Sequence, residues 1–140
     1  MDDAPVLLDT HVWWWFAMGS ERLEDSPALS WIRKAQELNR VFISVMSIWE
    51  LGMLERKERI RFNQGLVTWV DGALSVPGVR LQGLTPSIAI ESTRLPGEFH
   101  SDPMDRILVA TARELNAYII TADALILAYA NREYVKAVEA

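Results

Sequence analysis

The clearest fold signal in this chain is the segment Asp102-Pro103-Met104-Asp105-Arg106, followed by Ile107 to Leu115 and then by Tyr118-Ile119-Ile120-Thr121-Ala122-Asp123. Proline at a first helical position, with aspartate before it as a cap, predicts a helix that begins here. Asp105 falls in the first turn of this helix, where free amides and the helix dipole favour negative charge. The short apolar run that follows predicts a buried strand, which ends at Asp123. The segment therefore predicts part of an α/β fold, with one carboxylate at the helix start and one after the strand.

The length of 140 residues favours one domain, over residues 1–140, that is large enough to bury a core without covalent staples. Half of the residues are hydrophobic and 24% are charged, as in ordinary folded proteins. The chain has no cysteine, which excludes disulfides, thiol catalysis and cysteine-bound metals. No signal-peptide pattern and no apolar run of about 20 residues is present, so we expect a cytoplasmic protein without a membrane span.

The formal charge of −5 argues against a protein that coats nucleic acid through a basic face. It does not exclude an enzyme that acts on nucleic acid, because a carboxylate cluster that binds divalent cations is neutralised when loaded.

The N-terminal part begins with the apolar run Val6-Leu7-Leu8, which predicts a buried strand with Asp9 at its end. Residues 12–18 predict a short helix with three consecutive tryptophans, stopped by Gly19. Successive helical side chains point about 100° apart, so at least one tryptophan should be partly exposed. Two interpretations are open for this aromatic run, namely the edge of the core or a partner or dimer surface.

The helix that opens at Ser44 carries Glu50 among the apolar residues Ile48, Trp49 and Leu51. A carboxylate in such surroundings is costly unless it is paired, hydrogen-bonded or bound to a cation. A surface glutamate beside core neighbours is the alternative interpretation.

Further elements follow from apolar periodicity, caps and turns. The pattern predicts helices over 27–38, 44–54, 64–74, 86–91 and 125–129, and strands over 41–43, 79–81 and, as a last edge strand, 134–135. This alternation predicts a three-layer α/β/α fold, with a mostly parallel sheet covered by helices on both faces. Because the carboxyl ends of parallel strands share one edge, four carboxylates can meet in one crevice there. They are Asp9, Glu50, Asp105 and Asp123.

Four segments together resemble the acidic motifs of PIN-domain ribonucleases, and among these the VapC-type toxins of toxin–antitoxin pairs. The segments are Leu7-Leu8-Asp9-Thr10-His11, Ser47-Ile48-Trp49-Glu50, Asp102-Pro103-Met104-Asp105-Arg106 and Thr121-Ala122-Asp123. The resemblance extends over essentially the whole chain, in order and at family-like spacing. The tryptophan run is heavier than the aliphatic stretch usual in the family.

This resemblance implies that Asp9, Glu50, Asp105 and Asp123 bind Mg²⁺ or Mn²⁺, and that Thr10 and Thr121 supply supporting hydroxyls. It also implies metal-dependent endonucleolytic cleavage of RNA that leaves a 5′-phosphate and a 3′-hydroxyl. A homodimer is expected, together with a cognate antitoxin whose C-terminal segment masks the acidic groove.

The chemistry explains why such a site needs several acids. Hard divalent cations prefer oxygen ligands, and they can both activate water and stabilise an anionic transition state. Carboxylates roughly 5 Å apart repel one another by about 3 kcal/mol per pair at an effective dielectric constant near 20. A metal-free cluster should therefore be strained and partly protonated. Asp9 and Asp105 are the expected direct ligands, completed by Glu50 and Asp123.

Other polar residues near these motifs receive more modest predictions. Asp102 is expected to be a helix cap rather than a ligand. Arg106 could hold Asp105, contact phosphate or form a surface ion pair. His11 is expected to have a packing or hydrogen-bonding role, and His100 lies in a loop from which it could touch RNA.

The residues match three alternatives to a nuclease less well. A receiver-type domain needs a lysine after a late strand, but no lysine lies between Lys57 and Lys136. A two-aspartate phosphatase needs Asp-x-Asp where this chain has Asp9-Thr10-His11. A catalytically silent PIN-like binding module is opposed, though not refuted, by the intact carboxylates.

Overall fold

The structure is a computed structural model that describes residues 3–140, so the first two residues of the predicted domain lie outside the described residues. The described part contains five strands and eight helices. The strands are β1 (Val6–Leu8), β2 (Val41–Ser44), β3 (Val79–Gln82), β4 (Tyr118–Thr121) and β5 (Lys136–Glu139). The helices are α1 (Thr10–Met18), α2 (Glu21–Glu24), α3 (Ala28–Glu37), α4 (Val45–Arg56), α5 (Leu66–Leu74), α6 (Pro86–Ser92), α7 (Pro103–Leu115) and α8 (Ala124–Asn131).

The five strands form one sheet in the order β3-β2-β1-β4-β5, and every neighbouring pair is parallel. The central strand β1 pairs with β2 through Val6 and Val41, and with β4 through Leu8 and Ile120. The strand order reverses between β1 and β4, which is where an open parallel sheet forms its ligand crevice. The predicted three-layer α/β/α fold is confirmed, and the sheet is parallel throughout.

Each face of the sheet is covered by its own hydrophobic cluster, because successive strand residues point to opposite sides. On one side Leu7 and Ile119 pack with the apolar face of α7, including Leu108. On the other side Val6, Leu8 and Ile120 belong to the cluster that contains the buried residues of α1 and α3. These two layers hold β1 and β4 rigidly in place, and with them the residues that follow each strand.

The tryptophan run of α1 packs mainly into the molecule. Trp13 is buried, whereas Trp14 and Trp15 are partly exposed, which confirms the prediction that not all three could face the core. Trp13 and Trp14 contact Trp69 of α5 with ring centroids 5.2 and 5.3 Å apart, and Trp14 contacts Phe62 at 5.3 Å. This packing supports the interpretation as an edge of the core.

Several predicted boundaries were wrong. The last strand is Lys136–Glu139 rather than 134–135, because Tyr134 packs its ring on Tyr129 and Val135 is buried before the strand begins. The short helix α2, capped by Ser20, was not predicted. Helix α5 begins at Leu66 rather than at residue 64, after Gly65 with a φ of 87°, and its Val67 is exposed.

Four helices begin at the edge of the sheet where the strands end. Asp9 precedes α1, Ser44 caps α4, Asp102 caps α7 and Asp123 caps α8. The partial positive charge of helix N-termini therefore gathers at this edge, where it favours negatively charged groups. In the described part of the chain, no helix has the length and apolarity needed to cross a membrane.

Candidate active site

Asp9 lies where β1 passes into α1, beside β4. Its backbone N–H donates to the carbonyl of Ile120 at 3.0 Å, which extends the pairing of the two central strands. Its carboxylate accepts hydrogen bonds from the N–H of Thr10 and from the hydroxyl of Thr121, both at 2.7 Å. Burial raises the pKa of Asp9, and these two hydrogen bonds oppose the rise by stabilising the charged form. The orientation of this carboxylate is thus fixed before anything binds.

Thr121 connects two of the predicted acids. Its hydroxyl is fully buried, donates to Oδ2 of Asp9 and accepts from the backbone N–H of Asp123 at 2.9 Å. Asp123 in turn caps α8, since its Oδ1 accepts from the N–H groups of Leu125 and Ile126 at 2.9 and 3.0 Å. Asp9, Thr121 and the backbone of Asp123 are thus linked by hydrogen bonds at the carboxyl ends of β1 and β4.

Glu50 comes from the other side of the central strand, on α4. The position of α4 is fixed by a hydrogen bond of 2.8 Å between the hydroxyls of Thr10 and Ser47, both of which are fully buried. Ser47 lies three residues before Glu50, so this bond joins the start of α1 to the turn that carries the glutamate. Sequence reasoning assigned no role to Ser47, although a serine in an otherwise apolar helix was a usable signal.

Asp105 occupies the first turn of α7, where its N–H donates to Oδ1 of Asp102 at 3.1 Å. Burial raises the pKa of Asp105 to about 7, and the negative charges of Asp123, Asp102, Asp9 and Glu50 contribute in that order. All four predicted acids thus interact electrostatically in one region of the molecule. Asp102 is the helix cap, as expected, and also adds charge.

The remaining predicted residues lie around this group in different ways. Arg106 donates from Nε to the carbonyl of Ser92, the last residue of α6, and from Nη1 to two carbonyls of the segment between α6 and α7. His100, in the same segment, places Nε2 3.0 Å from Oδ2 of Asp105. His11 is exposed, with its ring 6.4 Å from that of Trp15, and its charge contributes only to lowering the pKa of Asp9.

The side chains of this crevice carry the oxygen donors that a hard divalent cation prefers. Across residues 3–140, no group of three or more His, Asp or Glu side chains is arranged to enclose a metal ion. Mg²⁺ does not require such an enclosure, because it usually retains several waters and binds through one or two carboxylates. The oxygen donors and the raised pKa of Asp105, which a bound cation would reverse, both suit Mg²⁺ or Mn²⁺.

The family model described as the PIN domain matches residues 6–136, which is nearly the whole chain. This chain belongs to the PIN-domain family. The match includes all the strands except the last residues of β5 and all four acids of the crevice.

A curated relative of this PIN domain is Ribonuclease VapC22 of Mycobacterium tuberculosis. The two are 35% identical over 118 residues, which cover 84% of this chain and 86% of the relative.

Two solved structures share the fold of this PIN domain over nearly its full length. VapBC2 from Rickettsia felis, bound to a promoter DNA fragment, gives a TM-score of 0.67 at 14% identity and covers 96% of this chain and 97% of that chain. DNA-bound VapBC from Salmonella typhimurium gives 0.66 at 16% identity, with 97% and 98% covered. At such identities the similarity concerns the fold alone.

Proposed function

We propose that this PIN-domain protein is a metal-dependent endoribonuclease, the toxin of a VapC-type toxin–antitoxin pair, and that it hydrolyses phosphodiester bonds of RNA. The observation that carries the proposal is the hydrogen-bonded group of Asp9, Thr121 and Asp123 where the strand order reverses, of which Asp9 and Asp123 interact electrostatically with Asp105. The 35% identity to a protein named Ribonuclease VapC22 supports the same activity.

In this proposal Asp9 and Asp105 bind Mg²⁺ or Mn²⁺ directly, and Glu50 and Asp123 complete the site through the metal or through bound water. The bound cation supplies an activated water and stabilises negative charge on the phosphoryl oxygens. The chain itself orients the donors. Asp9 is held by the amide of Thr10 and the hydroxyl of Thr121, so it needs little reorganisation on binding.

The carboxyl groups of Asp9 and Asp105 lie in different environments before a metal binds. Asp9 accepts two strong hydrogen bonds, which stabilise its charged form despite burial. Burial, together with repulsion by neighbouring carboxylates, raises the pKa of Asp105 to about 7. A carboxyl with a pKa of about 7 is about half protonated at neutral pH, so a cation held by Asp105 would displace that proton and its affinity would depend on pH. The expected products are a 5′-phosphate and a 3′-hydroxyl.

One assay tests the activity. Purified protein is incubated with total RNA and Mg²⁺ or Mn²⁺, in parallel with Asp9→Asn and Asp105→Asn, which keep the side-chain size and remove the charge. The several kcal/mol that a correctly bound metal supplies correspond to a rate loss on the order of 10³-fold in each variant. Equal cleavage by the variants, or cleavage that EDTA does not abolish, would contradict the mechanism.

The proposed partners follow from the same assignment. A cluster of carboxylates at helix N-termini attracts a basic side chain, so we expect a cognate antitoxin to cover the crevice with a segment that inserts one. We also expect a homodimer. Light scattering of the purified chain at micromolar concentration tests the dimer, and a monomeric mass would contradict it. Co-expression with the protein encoded beside it tests the antitoxin, which should suppress cleavage.

A further inference from the structure

The segment of residues 93–102, between α6 and α7, has no helix or strand, yet side chains of α7 and α8 hold its backbone at several points. In its middle the hydroxyl of Tyr129 donates to the carbonyl of Pro96, and Arg132 donates to the carbonyl of Glu98. Connections of this kind are usually the mobile parts of a domain. Here the backbone acceptors are matched by donors from two helices.

Arg106 joins the residue just before this segment to the part of the segment nearest the acids. Its Nε donates to the carbonyl of Ser92 at 2.8 Å, and its Nη1 donates to the carbonyls of Phe99 and His100 at 3.1 and 3.2 Å. One planar guanidinium thus joins the last residue of α6 to two successive residues before the cap of α7. A lysine ammonium at the end of a flexible chain cannot reproduce this fixed fork.

The side chain of His100 is the part of the segment that reaches the acids. Its ring packs on Phe99 with centroids 4.4 Å apart, and Phe99 packs on Tyr129 at 4.7 Å. Its Nε2 is buried and lies 3.0 Å from Oδ2 of Asp105, close enough for a hydrogen bond but not aligned as one. Contacts of this type often become aligned only when a site is loaded.

We propose that Arg106 is a positioning residue for Asp105. By holding the carbonyls of Ser92, Phe99 and His100, it keeps the imidazole of His100 against Oδ2 of Asp105 and so limits the rotation of that carboxylate. The proposal rests on the proposed function in one respect, namely that Asp105 binds the metal. A partner that orients a metal-binding carboxylate typically changes metal affinity by about 10- to 100-fold when it is removed.

The role differs from that of an ordinary structural arginine, and the chain offers a matched control. Arg113 lies two turns further along α7, donates to the backbone carbonyl of Tyr134 and lies 3.7 Å from Glu91. Arg113→Lys removes the same kind of guanidinium–carbonyl contact without touching the segment 93–102. Arg106→Lys and Arg113→Lys therefore make the same chemical change at two distances from Asp105.

The first readout is the imidazole of His100 in metal-free protein. The chain has two histidines, so histidine-selective ¹³C labelling gives two ring signals, and His100→Ala identifies one by its loss. We expect Arg106→Lys to shift and broaden the His100 signal, and Arg113→Lys to leave it in place. Unchanged His100 signals in Arg106→Lys would overturn the proposal without reference to activity.

The second readout is the affinity for Mn²⁺ measured by calorimetry. We expect Arg106→Lys and His100→Ala each to weaken binding by about tenfold or more, and the double variant to be no weaker than either, because both act through one contact. Arg113→Lys should stay within about twofold of the wild type, since it lies outside the site. Wild-type affinity in either single variant, or additive losses in the double variant, would overturn the positioning role.

His100→Ala keeps the test decisive if Arg106→Lys fails to fold, because the imidazole is partly exposed and holds none of the backbone contacts. Its wild-type affinity alone would then overturn the proposal. A wild type that binds Mn²⁺ but does not cleave RNA contradicts the proposed function and leaves this test intact. A wild type that binds no Mn²⁺ contradicts both.

Discussion

Helix α1 connects two regions of opposite character, the carboxylate crevice at its first residue and the aromatic cluster one turn later. In the crevice, burial and the negative charges of neighbouring acids together raise the pKa of Asp105 to about 7. The aromatic cluster of Trp13, Trp14, Phe62 and Trp69 contains rings in contact at centroid distances of 5.2 to 5.3 Å. Burial of such large apolar surfaces stabilises the fold, whereas gathering carboxylates without a cation destabilises it.

The two regions should therefore respond to mutation in opposite directions. Neutral substitutions in the crevice should remove repulsion and abolish function, while truncations in the aromatic cluster should remove packing and leave the crevice chemistry intact. Active sites commonly retain such unfavourable charge because it is what a ligand later neutralises. The predictions below test this contrast, starting from the largest change in free energy.

The largest loss of stability is expected for Trp13→Ala. Trp13 is 1% exposed and packs edge-on against Trp69. Removing a buried indole typically costs about 3 to 5 kcal/mol, because the surrounding structure fills the cavity only partly. Urea denaturation measures this loss. Trp15→Ala is the control, since Trp15 is partly exposed, and its cost should be no more than about half as large.

Trp13→Ala should also leave the chemistry of the crevice unchanged. Cleavage per folded molecule should stay near the wild-type rate, because Trp13 meets Asp9 through its backbone N–H, which donates to the Asp9 carbonyl at 2.9 Å and is retained in alanine. A variant of near wild-type stability that loses activity would show that the two regions are coupled through α1.

Asp105→Asn should show the opposite behaviour in metal-free protein. The folded-state pKa of Asp105 is raised above its ordinary value of 3.8, so the folded state holds the proton more tightly than the unfolded state. The associated stability is complete below pH 3.8 and is lost as pH rises to about 7. The neutral amide does not titrate, so the variant should escape this loss.

We therefore expect Asp105→Asn to gain stability over the wild type between pH 4 and pH 7 and to keep that advantage above it. The pKa of about 7 against 3.8 sets an upper limit of roughly 4 kcal/mol on the difference. Urea denaturation in EDTA at pH 5 and pH 8 measures it. A variant that is less stable than the wild type at pH 8 would contradict the view of the crevice as a region of repulsion.

The fold could be predicted from sequence because its signals are local. The caps at Asp102 and Asp123 and the apolar runs of β1 and β4 identify the central elements, and alternation of strands and helices determines the parallel sheet. The last strand was misplaced because residues 134 and 135 are apolar enough for a strand but serve tertiary packing. Secondary-structure propensity does not distinguish an apolar residue in a strand from an apolar residue that packs in the core outside one.

The four acids of the site could be predicted as a group, but the contacts that organise them could not. The hydroxyl of Thr10 was expected to support the acids, and it instead bonds Ser47, while the backbone amide of Thr10 contacts Asp9. Arg106 reaches backbone carbonyls, which carry no sequence signature. Hydrogen bonds to the main chain depend on loop geometry that no spacing rule records.

A moderate effect is expected for Thr121→Val, which keeps the side-chain shape and removes the hydroxyl. Oδ2 of Asp9 then loses a donor and the N–H of Asp123 loses an acceptor, both in a partly buried place. Leaving such groups unpaired costs about 1 to 3 kcal/mol. Thr121→Ser retains the hydroxyl and should retain most of the stability. Equal losses in the two variants, measured by urea denaturation, would mean that the methyl group matters rather than the hydrogen bonds.

The smallest effects are expected for two substitutions at Asp102. This residue caps α7 and also raises the pKa of Asp105, and the two substitutions separate these contributions. Asp102→Ala removes both the cap and the charge and should cost about 1 kcal/mol of stability. Asp102→Asn keeps a capping oxygen and removes only the charge, so its stability should remain close to that of the wild type.

Because one repelling charge is gone in both variants, the pKa of Asp105 should fall in both. The pH midpoint of Mn²⁺ binding, measured by calorimetry, should then move to lower pH in Asp102→Asn without any loss of helix stability. An unchanged midpoint would mean that the raised pKa of Asp105 comes from its burial and from the three other acids alone. Asp102 would then act as a helix cap without contributing to the electrostatics of the crevice.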